Sequence, residues 1–263
     1  MIVCRSASEL QRMRTANMLV AEILAELASE ARPGVTTADL DRLAEKRVLE
    51  AGAVPAFKGY RGYPATLCAS VNEEVVHGIP SDLRRLNEGD IISLDMGVLI
   101  DGFYGDSAVT VGVGTISEDA TTLLTVTEEA LYRGIDAARV GGRLSDIGHA
   151  IQEWVEEHGF SVVREFVGHG IGTKLHEEPQ IPNYGQPGRG PRLAEGMVLA
   201  IEPMVNLGRA AVKVLPDGWT AITRDGSLSA HFEHTVAVTG DGPMILTTRR
   251  DGRVERVAAG VRP

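Results

Sequence analysis

Two stretches of the chain share one pattern and decide the fold: EGDIISLDMGV at residues 88–98 and EGMVLAIEPMV at residues 195–205. The alignment that sets residue 88 on residue 195 keeps aliphatic residues at aliphatic positions and superposes Asp95 on Glu202. Each stretch is an apolar run that ends in an acid, a pattern that favours a buried strand. We therefore predict two related halves within one fold, because a solenoid needs at least three repeated units.

The same offset aligns a helical segment. Residues 32–52, RPGVTTADLDRLAEKRVLEAG, fall on residues 139–159, RVGGRLSDIGHAIQEWVEEHG. The first copy opens with Thr36 and Asp39 in the order of a capping box, and we expect its helix to stop at Gly52. An amphipathic helix precedes it. Helices followed by strands in each half predict the α+β class.

We predict a single domain over residues 1–263. Its halves would cover about residues 1–113 and 114–250, and no low-complexity linker separates them. Residues 251–263 are polar, and we expect them to fray at the surface.

Charge and cysteine content exclude several classes of protein. The 26 Lys and Arg residues stand against 36 Asp and Glu residues, for a net charge of −10, and the charges are interspersed. This balance speaks against direct binding of nucleic acid. Cys4 and Cys68 are too few for a disulfide framework or a four-sulfur zinc site. Since no apolar run approaches the length of a membrane span, we expect a cytoplasmic protein with no membrane contact.

Two aspartates flank a predicted hairpin. Asp101-Gly102 is a two-residue turn signal, which would place Asp106 opposite Gly97 and make Asp95 its diagonal neighbour on the same face. Acids in a hairpin are more often solvent-facing. Here the repeat favours burial, because Asp95 and Glu202 end equivalent apolar runs.

Further acids and histidines extend this pair. Glu233 lies in the alternating strand pattern of residues 232–238, so four carboxylates could converge where the halves meet. Like charges at that density require metal. His169 follows a strand-like stretch at residues 161–167, in a glycine-rich segment read as a loop, where a lone histidine is more often structural. His77 and His176 supply two more imidazoles.

The donor types point to a class of metal. Carboxylate oxygens with one imidazole nitrogen suit a pair of ions such as Mn, Fe, Co or Zn better than a structural zinc. Competing signatures are missing from the sequence: it has no Walker-type loop, no G-x-S-x-G elbow and no H-E-x-x-H helix.

At these residues the chain resembles the type I methionine aminopeptidases. FVGHGIG at residues 166–172, His176 and IPNY at residues 181–184 match that family's histidine signature. Residues 59–64, 72–80, 94–106 and 201–203 are similar to further blocks of the family. The resemblance implies the pita-bread fold. Glu202 and Glu233 stand too close together in the sequence to leave room for the helical insertion of type II relatives.

The resemblance also implies the site. It assigns two divalent ions to five ligands: Asp95, Asp106, His169, Glu202 and Glu233. Glu202 would be the general base, while His77 and His176 would bind the scissile amide and the developing oxyanion. These three residues would then be the catalytic ones.

A methionine-binding pocket is implied as well. Its residues would be Tyr60, Tyr63, Cys68, His77, His176 and Trp219. The chain departs from the family pattern at Phe57, where some bacterial members have Cys, and at Leu175, where many have Phe. Asn72 and Ser229 resemble the positions of an auxiliary monovalent-cation site.

The implied substrates are nascent polypeptide N-termini at the ribosome, with a small second residue preferred, and we expect a monomer.

One alternative is a prolidase or aminopeptidase P, which shares the fold but usually bears an extra N-terminal domain; here only residues 1–94 precede Asp95. Another is a non-catalytic binding protein on the same scaffold. Such proteins lose metal ligands, whereas this chain keeps all five.

Overall fold

A computed structural model describes residues 1–251 of the chain. Within this range lie four α-helices: α1 (Ala7–Glu30), α2 (Thr37–Glu50), α3 (Glu118–Ala137) and α4 (Leu144–Glu157). The first strands of the same range are β1 (Val54–Pro55), β2 (Leu67–Val71), β3 (Glu74–Val76), β4 (Ile91–Ile100), β5 (Phe103–Gly112), β6 (Ser161–Val162), β7 (Gly168–Gly170) and β8 (Glu177–Ile181). The remaining ones are β9 (Val198–Ile201), β10 (Met204–Asn206), β11 (Val212–Val214), β12 (Ala221–Thr223), β13 (Ser229–His231), β14 (Glu233–Thr239) and β15 (Gly242–Ile245). Apart from Asp251, the predicted polar tail lies outside the described residues.

The helix starts follow from their capping residues. Ser6 caps α1 and forms a capping box with Glu9, and Thr36 does the same for α2 with Asp39. Each box satisfies two backbone N–H groups that the first helical turn leaves without intrahelical partners. The apolar face of α1, which includes Val20, is buried against β4 and β5.

Most of the core belongs to one curved antiparallel sheet. Within the described residues this sheet has nine strands in the order β1-β4-β5-β14-β9-β7-β8, with β15 added to β14 and β2 added to β4. Strands from the first half of the chain therefore pair with strands from the second half at β5 and β14. The seam between the halves lies inside the sheet.

The internal repeat is visible in the backbone. Helix α4 begins and ends at the positions that the repeat equates with the two ends of α2, and β9 begins at the position equated with the start of β4. The loop contacts repeat with the same offset: the Gly34 N–H donates to the Leu86 carbonyl, and the Gly141 N–H donates to the Leu193 carbonyl. The α+β class with pseudo-twofold halves is confirmed.

The hairpin that carries the two aspartates has the predicted register. Ile100 pairs with Phe103 and Gly97 pairs with Asp106, around a turn at residues 101–102. Neither aspartate is solvent-facing. Asp106 is buried, and one oxygen of Asp95 is buried as well.

The prediction for the segment around His169 was wrong. The strand at residue 161 ends at Val162, and His169 lies in the short strand β7 rather than in a loop. The flanking glycines explain this placement, since a Cβ on Gly168 would collide with the Ala200 carbonyl and one on Gly170 with the backbone of Glu178. Glycine thus lets three strands approach closely around one imidazole.

The helices also bear on the expected absence of a membrane span. Among residues 1–251, no helix combines the length and the apolar character needed to cross a bilayer.

Candidate metal centre and active site

Five side chains meet at the seam between the two halves. Asp95 on β4 and Glu233 on β14 both pair in register with Ala108 of the intervening strand β5, which also carries Asp106. His169 on β7 pairs with Ala200 of β9, and Glu202 follows the end of β9. Strand pairing, together with the segment that follows β9, therefore brings the five ligands predicted from the sequence into the lining of one cavity.

The distances within this group fit metal ligation. One ligand atom each from Asp106, His169 and Glu233 lie within 4.8 Å of one another. Nε2 of His169 lies 3.5 Å from Oε1 of Glu202 and 3.8 Å from Oδ2 of Asp106. These separations are longer than hydrogen bonds and leave room for a cation that several donors share.

The buried oxygens of the group call for a positive partner. Among the described residues, Asp95 Oδ1, Asp106 Oδ1 and Glu233 Oε1 are buried without a hydrogen-bond partner. Burial raises the pKa of Asp95 to about 7 and the pKa of Glu202 to about 8. Burial and the neighbouring carboxylates raise the pKa values of Asp106 and Glu233 well above the usual range. Bound cations would remove this penalty, so the residues fit a metal centre.

His169 is oriented as a metal ligand. Its Nδ1 lies 3.0 Å from the Gly170 carbonyl oxygen, which can only accept a hydrogen bond, so the ring proton lies on Nδ1. That tautomer leaves the Nε2 lone pair directed at the carboxylates. Burial lowers the pKa of His169 to about 3, which keeps the ring neutral and able to ligate.

Hydroxyl groups fix the backbone beneath the carboxylates. The Ser107 hydroxyl donates to the Glu233 carbonyl at 2.6 Å, and the Thr235 hydroxyl donates to the Asp106 carbonyl at 2.8 Å. Both bonds cross between β5 and β14. They hold the two strands in the register on which the ligand group depends.

An apolar slot opens beside the carboxylates. Tyr63, Cys68, Trp219 and Phe57 line its walls, and Ile79 packs against this cluster. The slot and the ligand group share one cavity of about 150 Å³ that opens to solvent. Burial raises the pKa of the Cys68 thiol, so it is an uncharged wall of the slot rather than a thiolate ligand.

Tyr63 links two segments of the slot by hydrogen bonds. Its hydroxyl donates to the carbonyl oxygen of Leu67 at 3.1 Å and to that of Gly78 at 3.0 Å. We expect Tyr63→Phe to lower the free energy of unfolding by about 1 kcal/mol, because the Gly78 carbonyl keeps the N–H of Ala69 as a second partner. Thermal unfolding checks this as a fall of about 2–4 °C in Tm. An unchanged Tm would contradict it.

The mouth of the cavity is formed by histidines and a tyrosine. Nδ1 of His176 lies 2.9 Å from the Tyr60 hydroxyl, and the two rings stack with centroids 5.2 Å apart. The His176 ring also lies 4.2 Å from the His169 ring. His77 is held edge-on between Phe166 and Trp219. Burial lowers the pKa of His77 to about 4, so its ring is neutral at pH 7.

All the pocket residues predicted from the sequence reach this cavity. Its lining includes Tyr60, Tyr63, Cys68, His77, His176 and Trp219, together with the two departures Phe57 and Leu175. Asn72 and Ser229, predicted for a monovalent cation, are neighbours: the Ser229 N–H donates to the Asn72 carbonyl at 2.9 Å.

Two residues at the site had been given no role from the sequence. His231 is buried, with Nε2 3.6 Å from Oε2 of Glu202. Its position two residues before Glu233 was the available signal, because alternate residues of an extended chain share a face. Arg61 lines the cavity mouth, and its guanidinium lies over the Tyr60 ring at 5.4 Å. Its place between the glycines of the GYRGYP motif pointed to an unusual backbone, and its φ is +50°.

Comparison with known proteins identifies the family. The model of metallopeptidase family M24 matches residues 11–240. The chain is 55% identical to methionine aminopeptidase of Clostridium acetobutylicum, over 94% of this chain and 99% of that protein. It is 56% identical to methionine aminopeptidase 1 of Bacillus subtilis, with the same coverage.

Solved structures confirm the pita-bread fold. The methionine aminopeptidase of Thermotoga maritima superposes with a TM-score of 0.93 at 49% identity, covering 94% of this chain and 99% of that one. The prolidase of Pyrococcus horikoshii shares the fold with a TM-score of 0.74 at 22% identity, but this chain covers only 64% of its length. High identity over nearly the whole length of both chains distinguishes the methionine aminopeptidases from the prolidase as relatives of this chain. The chain therefore belongs to metallopeptidase family M24, and within it to the methionine aminopeptidases of bacterial type I.

Proposed function

We propose that the chain removes the N-terminal methionine from peptides and proteins by metal-dependent hydrolysis. The observation that carries this proposal is one cavity whose lining joins the five predicted ligands to a narrow apolar slot. The ligand group would hold the reacting end of the chain, and the slot would hold its first side chain. A single cavity of this shape suits removal of one residue from a free end.

The ligand group would hold two divalent ions. Asp95, Asp106, His169, Glu202 and Glu233 would be the ligands. Four carboxylates carry four negative charges, which two divalent cations neutralise, and one ion cannot use all the oxygens present. The mixed oxygen and nitrogen donors suit Co, Mn, Fe or Zn. When bound, such ions supply Lewis acidity that lowers the pKa of water and polarises a carbonyl.

Glu202 would move the proton. The carboxylate lies between His169 and His231, with one oxygen 3.5 Å and the other 3.6 Å from an imidazole Nε2. It would accept a proton from the attacking water and pass it to the amine that leaves. Burial makes this carboxylate a stronger base than an exposed glutamate, which suits proton transfer near pH 7.

His77 and His176 would bind the scissile amide. Both imidazoles reach the cavity. Burial lowers the pKa of His77 to about 4, and partial burial with the nearby Arg61 charge lowers the pKa of His176, so both rings are neutral at pH 7. A neutral N–H can hydrogen-bond the carbonyl oxygen and strengthen that bond as negative charge develops on it.

The slot would select methionine, and the mouth would select a small second residue. An unbranched thioether fits the narrow space between Tyr63, Cys68 and Trp219. Just outside it, the stacked and hydrogen-bonded rings of Tyr60 and His176 narrow the mouth. A bulky second side chain would have to displace that pair.

The expected setting is protein maturation. We expect the substrates to be nascent chains at the ribosome, in the cytoplasm, and the working enzyme to be a monomer. A monovalent cation at Asn72 and Ser229 would stabilise the turn where β2, β4 and β13 come together. We expect it to leave the chemistry unchanged.

Release of free methionine from Met-Ala-Ser, compared with cleavage of Ala-Pro-Ser, tests the proposed function. We expect only the first peptide to be cleaved, only with added Mn or Co, and not with a chelator. Cleavage of the Xaa-Pro peptide alone would identify a prolidase-like enzyme. No metal-dependent cleavage of either peptide would favour a binding protein.

A further inference from the structure

A largely buried ion pair ties the N-terminal segment to the loop that carries His176. The Arg5 guanidinium donates from Nη2 to both oxygens of Glu177, at 2.6 and 2.5 Å. The Arg5 side chain is 5% exposed and the Glu177 side chain 13% exposed. Removing two charges from water is costly, so a pair in this position needs further hydrogen bonds to be stable.

Glu177 supplies those bonds within its own loop. Its Oε1 accepts the N–H of Thr173 at 2.8 Å and the N–H of Lys174 at 3.1 Å. The carboxylate therefore closes residues 173–177 into a compact turn. His176 is the residue immediately before Glu177, and its ring is directed at the cavity mouth.

Arg5 also contacts two segments that lead to the site, at Gly196 and at Gly172. Its backbone N–H donates to the Gly196 carbonyl at 2.7 Å, just before β9, the strand that leads to Glu202. The guanidinium lies against Gly172, where a Cβ would collide with it. The Gly172 carbonyl in turn accepts the Tyr104 N–H at 2.8 Å, from the hairpin that carries the two aspartates.

His176 has few other anchors. His176 is exposed, and among the described residues its side chain has one hydrogen bond, between Nδ1 and the Tyr60 hydroxyl. A ring at a solvent-facing mouth keeps its direction only if its backbone is fixed.

We propose that Arg5 is a positioning residue, which holds His176 in place for the scissile amide by clamping Glu177 and the turn at residues 173–177. This inference rests on the proposed function, because it assigns Arg5 a part in the same reaction. Arg5 contacts neither the ligand group nor the slot, so its effect passes through Glu177.

The variants Arg5→Ala and Arg5→Lys test it in the metal-loaded enzyme. We expect Arg5→Ala to lower kcat for Met-Ala-Ser by about 10- to 100-fold with little change in KM, since the slot is untouched. Arg5→Lys, which keeps the charge but has a shorter side chain without the planar guanidinium, should fall between wild type and Arg5→Ala. Millimolar guanidinium should restore part of the Arg5→Ala activity, because the substitution vacates the space that the Arg5 guanidinium fills against Gly172.

Hydrogen exchange supplies a readout that does not depend on turnover. The amides of Thr173 and Lys174 should exchange faster in Arg5→Ala than in wild type, and Glu177→Gln should add little to the kcat loss in an Arg5→Ala background. If wild type releases no methionine, the proposed function fails while exchange still decides whether Arg5 holds the loop.

Arg47→Ala is the control for loss of an arginine ion pair elsewhere in the fold. It breaks a more exposed pair, from Nε and Nη2 of Arg47 to Glu26 at 2.8 and 2.6 Å, which joins α2 to α1 away from the cavity. We expect its kcat to match wild type. The positioning role is overturned if Arg5→Ala keeps wild-type kcat, if Arg47→Ala loses as much, or if exchange at Thr173 and Lys174 is unchanged.

Discussion

Glu202→Gln is expected to lower kcat for methionine release by about 10²- to 10⁴-fold at saturating metal, the range for losing a general base. Gln has the shape of Glu but cannot accept a proton from water. The Asn183 side chain donates to the Glu202 backbone carbonyl at 3.0 Å, and this bond survives the substitution. The fold should therefore persist, and steady-state assays with matched thermal unfolding measure both effects.

Metal content must be measured in the same variant, because Glu202 is also assigned as a ligand. Isothermal titration of the metal-free variant with Mn or Co would separate lost metal from lost proton transfer. Glu195→Gln is a suitable control, since Glu195 is exposed before the same strand and bonds to the Gly240 N–H. Near-normal turnover by the metal-saturated Glu202→Gln variant would refute the assignment.

Local sequence signals predicted the local parts of the fold. The capping box of Thr36 and Asp39 places α2, and the Asp101-Gly102 turn sets the register that puts Asp106 opposite Gly97. These signals depend on a few neighbouring residues and on hydrogen bonds within one turn, so sequence spacing is sufficient.

The convergence of the ligands depended on pairing between distant strands. The repeat predicted that Asp95 and Glu202 occupy equivalent positions. No local signal specifies that β14 lies between β5 and β9, the order that brings Glu233 beside them. That order follows from burying apolar faces of both halves in one sheet, a property of the whole chain. The resemblance to a known family supplied it instead.

Errors arose where close packing outweighed the usual sequence pattern. The glycines beside His169 indicated a loop, but they allow strand contact at a crowded position. His231 was given no role because its contact with Glu202 depends on the pairing of β10 with β13. Strands this short leave too weak a sequence pattern for their pairing to be predicted. Both cases involve contacts between residues far apart in sequence.

The pKa shifts of the ligand group also predict how pH acts on the metal-free protein. A carboxyl with a raised pKa in the folded state stabilises the folded protein fully below its unfolded-state pKa, near 4. This stabilisation is lost as pH rises from there through the folded-state pKa, because the folded state holds the proton that the unfolded state releases. Asp95 and Glu202 reach folded values of about 7 and about 8. The buried histidines act oppositely, because their lowered pKa values cost stability only as pH falls below about 6.5. Between pH 6.5 and 8.5, therefore, the carboxyls dominate.

In that window we expect the chelated protein to lose stability as pH rises. One carboxyl that stays protonated in the folded state contributes about 1.4 kcal/mol per pH unit, so Tm should fall by about 5–10 °C. Bound divalent ions should reverse this trend, because they need ionised ligands and compete with protons. The gain in Tm from added Mn or Co should thus be larger at pH 8.5 than at pH 6.5.

Asp106→Asn provides the internal comparison for this pH effect. It removes one buried carboxyl, which is also one of the proposed ligands, so the chelated variant should show a shallower fall in Tm and a smaller response to metal. Calorimetry of both proteins at pH 6.5 and pH 8.5, each with and without metal, gives the four Tm values needed for each protein. A chelated wild type whose Tm is constant or rises over this range would mean that the carboxylates are already compensated without metal. The buried acids would then need no bound cations, and the case for a metal centre at the seam of the two halves would lose its physical basis.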